Sequence, residues 1–474
     1  MNSIKKSFNI EKEIIYIFVI SLLFLLFPII FSWDSGHYFN YLNFFEGTMG
    51  ISEWDTARGP IFPTVLFVFL KIFGKNYNSV MLYGYILFLI GAIYLYKTLK
   101  MIFTNYGNHF SLFFVIACFL LNPIVFGYYH LMLTESLITT FSIVLIYFFA
   151  KIKDKKICRL KKILKLSFFF GCILSFGWLL KQPYGILTFL ICFLFGFFFN
   201  VNTKISKKLF LMFLSLSVSL ALCFSWNNYI IKKKDVVDQS RTNSYFMKRG
   251  IMNGIGVYNY YGNNLIKSYL KEVYNNPKDV LKRYFCGYLG LTNLIEASHN
   301  DVTGEIKYSY DFDFVKFASR GENYVLGTKT FTYLDGKNYF FMLEESLDNL
   351  RPFLLENQEK NIFYKIILVV FGAYNILFSI LGLVNPILLI YMIIYIIKNK
   401  QKSKEYDKIN LEKIFICSLL CYFIYAIMFV FLGAIIDRYI FPVYVMSFPI
   451  TIINIKWIFF DGRLYNKTKE LKVL

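Results

Sequence analysis

Charge is scarce in this chain, and acidic charge is scarcer still. Of 474 residues only 17% are Asp, Glu, Lys or Arg, with 30 acids against 51 bases, whereas a soluble globular chain carries about 25% charge. The eight cysteines offer little more. Six of them (Cys118, Cys172, Cys192, Cys223, Cys417, Cys421) fall in apolar stretches and Cys286 stands alone in a long polar segment, so neither a disulfide framework nor a metal-ligand spacing is present. Internal repeats are also missing, as is any low-complexity tract beyond a bias toward Ile, Lys, Asn, Phe and Tyr. What is abundant is apolar: 57% of residues are hydrophobic and 20% aromatic, with a mean hydropathy of +0.50. Runs of 16–24 apolar residues recur from residue 14 to residue 460. That pattern is the signature of an all-α polytopic membrane protein. It excludes a soluble enzyme, a coiled coil, a disordered chain and a secreted disulfide scaffold.

The formal charge of +21 would suggest a nucleic-acid partner in a soluble protein. The placement of the bases argues otherwise. Segments 1–13, 97–108, 151–163, 201–208, 398–413 and 461–474 hold 25 bases and 8 acids, whereas 33–78 and 231–361 hold 21 bases and 20 acids. The excess is therefore the positive-inside bias of short cytoplasmic loops, and no nucleic acid is expected as a partner. At the N-terminus, Lys5 and Lys6 precede an apolar run from Ile14 to Phe31. The run is longer than a signal h-region and lacks an A-x-A-like site, so it reads as a retained first helix.

Ten spans are expected: 14–32, 79–97, 109–127, 134–150, 164–181, 184–200, 209–230, 374–397, 412–434 and 439–460. The stretches 61–74 and 362–373 are shorter, as interfacial segments are. Laying 61–74 on the outer face keeps the basic loop 151–163 in the cytoplasm. The expected organisation is a transmembrane module over 1–230 with a first outer loop at 33–78, an extracytoplasmic loop domain over 231–361, and C-terminal transmembrane helices over 362–474. Both termini are expected in the cytoplasm of a multi-pass protein of the cytoplasmic membrane.

Seven formal charges in or beside the apolar segments call for an explanation, since each costs on the order of 2.5–3.5 kcal/mol at a helix centre. Lys165 and Lys456 lie near cytoplasmic helix ends and can snorkel, and Lys365 belongs to an interfacial stretch. The other four, Glu135, Lys181, Asp437 and Arg438, fall at outer helix ends. Asp34 and Arg58 lie on the same side in the first outer loop. Carboxylates and cations from distant stretches thus converge on one face, as transfer from an anionic lipid donor requires. Each also has a local reading. Glu135 is a first-turn acid favoured by the helix dipole; Asp437 and Arg438 form a pair at a helix start; Lys181 marks a loop; Asp34 is a solvated loop acid; Arg58 is a headgroup anchor.

The order of motifs resembles the GT-C superfamily of polytopic glycosyltransferases, and within it protein O-mannosyltransferases, lipid A aminoarabinose transferases and glycosyltransferase-39-like proteins. The resemblance lies in Trp-Asp-Ser-Gly-His-Tyr-Phe at 33–39, Arg-Gly-Pro-Ile-Phe-Pro at 58–63 and Leu-Asn-Pro at 121–123 with Leu-Thr-Glu-Ser-Leu at 133–137. Leu-Lys-Gln-Pro-Tyr-Gly at 180–185 and Asp-Arg-Tyr-Ile-Phe-Pro-Val-Tyr at 437–444 extend it. It covers 14–200 well and 412–460 loosely. Many members carry an Asp-Glu pair after the first helix, where this chain has Asp34 followed by Ser35. The resemblance implies a GT-C-like bundle of about ten helices, a polyprenyl-phosphate sugar donor, inversion at the anomeric carbon, and Asp34 as general base on an acceptor hydroxyl. Glu135 is the second catalytic candidate. Arg58, Lys181 and Arg438 are candidates for the donor phosphate, and His37, Tyr38 and Tyr439 for substrate contact. No cofactor is expected, a divalent metal being the one addition such an acid motif admits. The other expected partners are the bilayer and an acceptor glycan, lipid or protein.

Asp311-Phe-Asp313 has the spacing of a metal-holding D-x-D motif but lies on the outer side, where nucleotide sugars are absent. His130 sits beside a motif without a second ligand. Two other functions compete. A polysaccharide polymerase or ligase also combines many helices with a large outer loop, yet needs no acid directly after the first helix. A transporter or flippase predicts polar groups near the midplane and repeated topology; here the midplane is nearly free of charge and no repeat is found.

Overall fold

The computed structural model describes residues 11–26, 41–50, 59–102, 108–130, 132–152, 160–199, 204–234, 383–391, 416–428 and 441–456. It also describes residues 29, 35, 38–39, 273–278, 280–281, 284–285, 380 and 393–394, and four short strands. These residues are predominantly helical. The helices are α1 Lys12–Ser21, α2 Leu42–Phe45, α3 Ile61–Phe73, α4 Tyr77–Ile102, α5 Asn108–Val115, α6 Pro123–His130, α7 Thr134–Ile152, α8 Leu160–Leu180, α9 Gln182–Phe199 and α10 Ile205–Lys234. Residues 383–391 form α11, Ile416–Met428 α12 and Phe441–Lys456 α13.

Among the described residues, three helices are long and apolar enough to cross a membrane: Tyr77–Met101, Ile163–Leu180 and Ile205–Trp226. Five shorter apolar helices accompany them, among them Ile61–Phe73 and Thr134–Phe149. At 1.5 Å per residue, the 13 residues of α3 reach only about 20 Å, against about 30 Å of hydrocarbon. Phe62, Pro63, Leu66 and Leu70 of α3 are buried, whereas Val68, Ile72 and Phe73 are exposed. A turn at Gly74, whose φ of 92° suits glycine, carries the chain into α4.

Two expected spans are interrupted. Over 14–32, α1 tightens into a 3₁₀ turn at Leu22–Leu26. Over 109–127, α5 loosens into a π-turn at Ile116–Leu120, closed by a bond from Leu121 N to Ile116 O of 2.8 Å. The helix then stops at Leu121–Asn122 and α6 begins at Pro123. The cause is local. Asn122 Oδ1 accepts the Val125 amide at 3.4 Å, and proline in a first turn has no N–H to leave unpaired.

One contiguous core joins α1, α3, α4, α6, α7, α9, α12 and α13. Tyr38, Tyr96, Tyr129, Tyr184, Tyr422, Tyr425 and Tyr444 are its largest buried side chains. α8 packs closely on α10, where Ser175 Oγ donates to Gly171 O at 2.8 Å and reaches Ser219 Oγ at 3.3 Å. At the end of α4 remote from α3, Glu11 accepts from Lys100 Nζ at 2.9 Å and Tyr96 OH at 3.2 Å. The Lys100 ammonium holds the Glu11 carboxyl below its ordinary pKa. In the segment expected as a loop domain, Glu296–His299 pairs antiparallel with Ile306–Ser309, and Thr332–Tyr333 with Phe341–Met342. Asp311 and Asp313 lie outside the described residues, as does the stretch 362–373.

Candidate functional site

Glu135 is the second residue of α7, in the first turn, where the partial positive charge of the helix N-terminus favours an acid. It is fully buried. Thr134 Oγ1 donates to its Oε2 at 3.1 Å. The carbonyl of Leu133, just before the helix, accepts Ser136 Oγ at 3.1 Å.

Lys181 is the single residue between α8 and α9. Its amide closes α8 on Gly177 O at 3.2 Å, and its carbonyl accepts the Tyr184 amide at 2.8 Å to open α9. The two helices lie close beside each other because Gly177 and Gly185 carry no side chain. A Cβ on Gly177 would overlap Thr188, and one on Gly185 would overlap the Trp178 ring. This tight corner carries Lys181 Nζ to 3.8 Å from Glu135 Oε1, with the side chains 10% and 1% exposed. The ammonium also lies 6.0 Å from the centre of the Tyr184 ring, at the outer range of a cation–π contact.

Three further segments meet this pair. Ser35, next to Asp34 in sequence, is fully buried and donates through Oγ to Met132 O at 2.7 Å, three residues before Glu135. Gly59, next to Arg58, lies against the backbone of Leu179, two residues before Lys181, so closely that a Cβ would overlap the Leu179 carbonyl. Phe441, three residues after Arg438, stacks on Tyr128 with centroids 4.2 Å apart and planes 22° off parallel. One helical turn on, Tyr444 OH accepts Asn122 Nδ2 at 3.0 Å. Tyr38 presents its ring edge to Phe62 of α3 at 4.9 Å and is almost wholly buried.

Of the residues singled out from sequence, the structure thus brings Glu135 and Lys181 together and seats Tyr38 on α3. Asp34, His37, Arg58, Asp437, Arg438 and Tyr439 lie outside the described residues. No group of three His, Cys, Asp or Glu side chains able to hold a metal occurs among the described residues. Sequence reading missed Ser35, Gly59, Asn122 and Tyr444. A signal existed for Asn122, since Asn-Pro announces a helix start. For Gly59 and Ser35 the signal was adjacency to Arg58 and Asp34.

His130, between the expected spans 109–127 and 134–150, fastens the 3₁₀ turn to α6. Its ring stacks on Phe24, and its two nitrogens lie 2.8 Å from Phe126 O and 2.9 Å from Phe24 O. Burial outweighs both carbonyls and lowers its pKa to about 4, so the neutral ring has one N–H to give. No protein-family model, curated protein or solved structure matches this chain.

Proposed function

We propose that this chain is an integral membrane glycosyltransferase of the GT-C type. It transfers a sugar from a polyprenyl-phosphate donor to an acceptor hydroxyl on the outer face of the cytoplasmic membrane. The proposed topology has about ten spans, both termini in the cytoplasm, and α3 lying in the outer interface. The observation that carries the reading is the meeting of Ser35, Gly59 and Phe441, neighbours in sequence of Asp34, Arg58 and Arg438, with the stretches that lead to Glu135 and Lys181 or line α6. Acids and cations far apart in sequence are what a displacement at a lipid phosphate uses.

In the proposed step the acceptor oxygen attacks the anomeric carbon, and the bond from that carbon to the phosphate oxygen breaks. The acceptor proton passes to the Asp34 carboxylate, and the electron pair leaves with polyprenyl phosphate. Arg58, Lys181 and Arg438 offset the charge that develops on the leaving oxygen. Glu135 keeps Lys181 in place and orients one of the two substrates. Inversion follows from a single displacement.

The deciding experiment compares Asp34→Asn with the wild-type chain in membranes supplied with radiolabelled polyprenyl-phosphate sugars. Loss of transfer by about 100-fold or more, with expression and donor binding unchanged, is expected of a missing general base. Full activity in Asp34→Asn would sink the mechanism.

A further inference from the structure

Position 35 is where the chain departs from the Asp-Glu pattern, and the structure gives its serine a definite task. The link between α6 and α7 runs from residue 131 to residue 133, and its described residues are buried. Its carbonyls therefore need donors from the protein rather than from water. Leu133 O takes one from Ser136 of α7, a local bond. Met132 O takes one from Ser35, 97 residues away in sequence. The 2.7 Å length is that of a well-formed hydroxyl–carbonyl bond, and both residues are shielded from solvent.

We infer that Ser35 is a positioning residue for the transfer reaction: its hydroxyl docks the segment that carries Asp34 onto the turn that starts α7, and so sets the spacing between the acids at 34 and 135. This rests on the proposed glycosyltransferase reading. Only a donor performs the task. An ionised carboxylate at position 35 is acceptor-only and would face the Met132 carbonyl oxygen with like charge. In this chain the side chain after Asp34 thus donates to the backbone just before α7.

The test uses the full-length chain purified in detergent, with transfer measured from radiolabelled polyprenyl-phosphate sugars. Ser35→Ala is expected to lower kcat at least 10-fold while KM for the donor changes less than 2-fold. Ser35→Thr, which keeps the donor, should return to within about 3-fold of wild type, and Ser35→Asp should fall below Ser35→Ala. Ser35→Cys, nearly isosteric and a weak donor, replaces Ser35→Ala if the latter elutes as aggregate. An active wild type whose Ser35→Ala form keeps its kcat overturns the positioning role alone. So does a loss that follows only the folded fraction in all variants. A wild type that transfers no sugar overturns the functional reading, and the positioning role with it.

Discussion

The ammonium of Lys181 stands 3.8 Å from the carboxylate of Glu135, and neither charge belongs to the other's helix. That separation exceeds the 2.7–2.9 Å of a charge-assisted hydrogen bond. The pair is an electrostatic contact across an interface, between the first turn of α7 and the corner joining α8 to α9. Burial makes each charge dependent on the other, since a lone buried ion keeps its desolvation cost and loses its compensation.

Lys181→Met and Glu135→Leu should therefore each destabilise the protein, the lysine change by about 3 kcal/mol. The double variant Lys181→Met/Glu135→Leu should recover at least half of the summed loss, because both charges leave together. Thermal unfolding in detergent, followed by loss of monodisperse protein, reads all three. Strictly additive losses would mean that the two side chains do not interact.

Gly59→Ala should cost about 1–3 kcal/mol through overlap with the Leu179 carbonyl. The added methyl drives the segment carrying Arg58 away from the corner carrying Lys181. Donor binding should weaken more than 10-fold if both cations serve one phosphate. Gly47→Ala, where the Cβ direction is open, is the control for a bare glycine change, its φ of 79° adding mild strain of its own. Equal binding by Gly59→Ala and wild type would separate Arg58 from Lys181.

His130 makes stability fall with acidification. Its folded pKa of about 4 lies below the unfolded value near 6.5, so the unfolded chain binds the proton first. The contribution is complete above pH 6.5 and is lost as pH drops toward 4, to a total of about 3 kcal/mol. Wild-type Tm should decline between pH 7 and pH 5 more steeply than that of His130→Gln. Parallel curves would show that the ring titrates normally.

The bond from Asn122 to Tyr444 joins α13 to the break before α6. A double-mutant cycle with Asn122→Ala and Tyr444→Phe should return a coupling of about 1 kcal/mol, the worth of a buried hydrogen bond. Asn122→Ala alone should cost more than Tyr444→Phe, because it also removes the acceptor for the Val125 amide. A coupling near zero would detach the two helices.

The helical class was legible because it rests on composition and period, which every apolar run repeats. For Glu135 and Lys181 only a shared side was legible: charges in apolar segments are few enough to be sorted by side, but nothing in the sequence named these two as partners. Ser35 was not legible. A hydroxyl that donates to a backbone carbonyl selects no partner side chain, and so leaves no complementary residue to find. The role of Gly59 was equally hidden, since a close approach between two backbones is a property of the folded pair. The break at Leu121–Asn122 was written in Asn-Pro, but the apolar residues on either side carried the expected span across it.

The π-turn at Ile116–Leu120 holds one residue more than an α-turn would, and each helical residue advances the chain by about 100°. Its length is consequently a phase setting. Removing any one residue between 116 and 120 would let an ordinary α-turn form and swing the following stretch about a quarter turn around the axis. Asn122 would then face away from Tyr444, and Tyr128 away from Phe441, with every side chain of the stretch otherwise retained. A deletion in this turn therefore re-aims Asn122 in a way that no substitution can, so the number of residues matters here beside the packing of Cys118, Phe119 and Leu120.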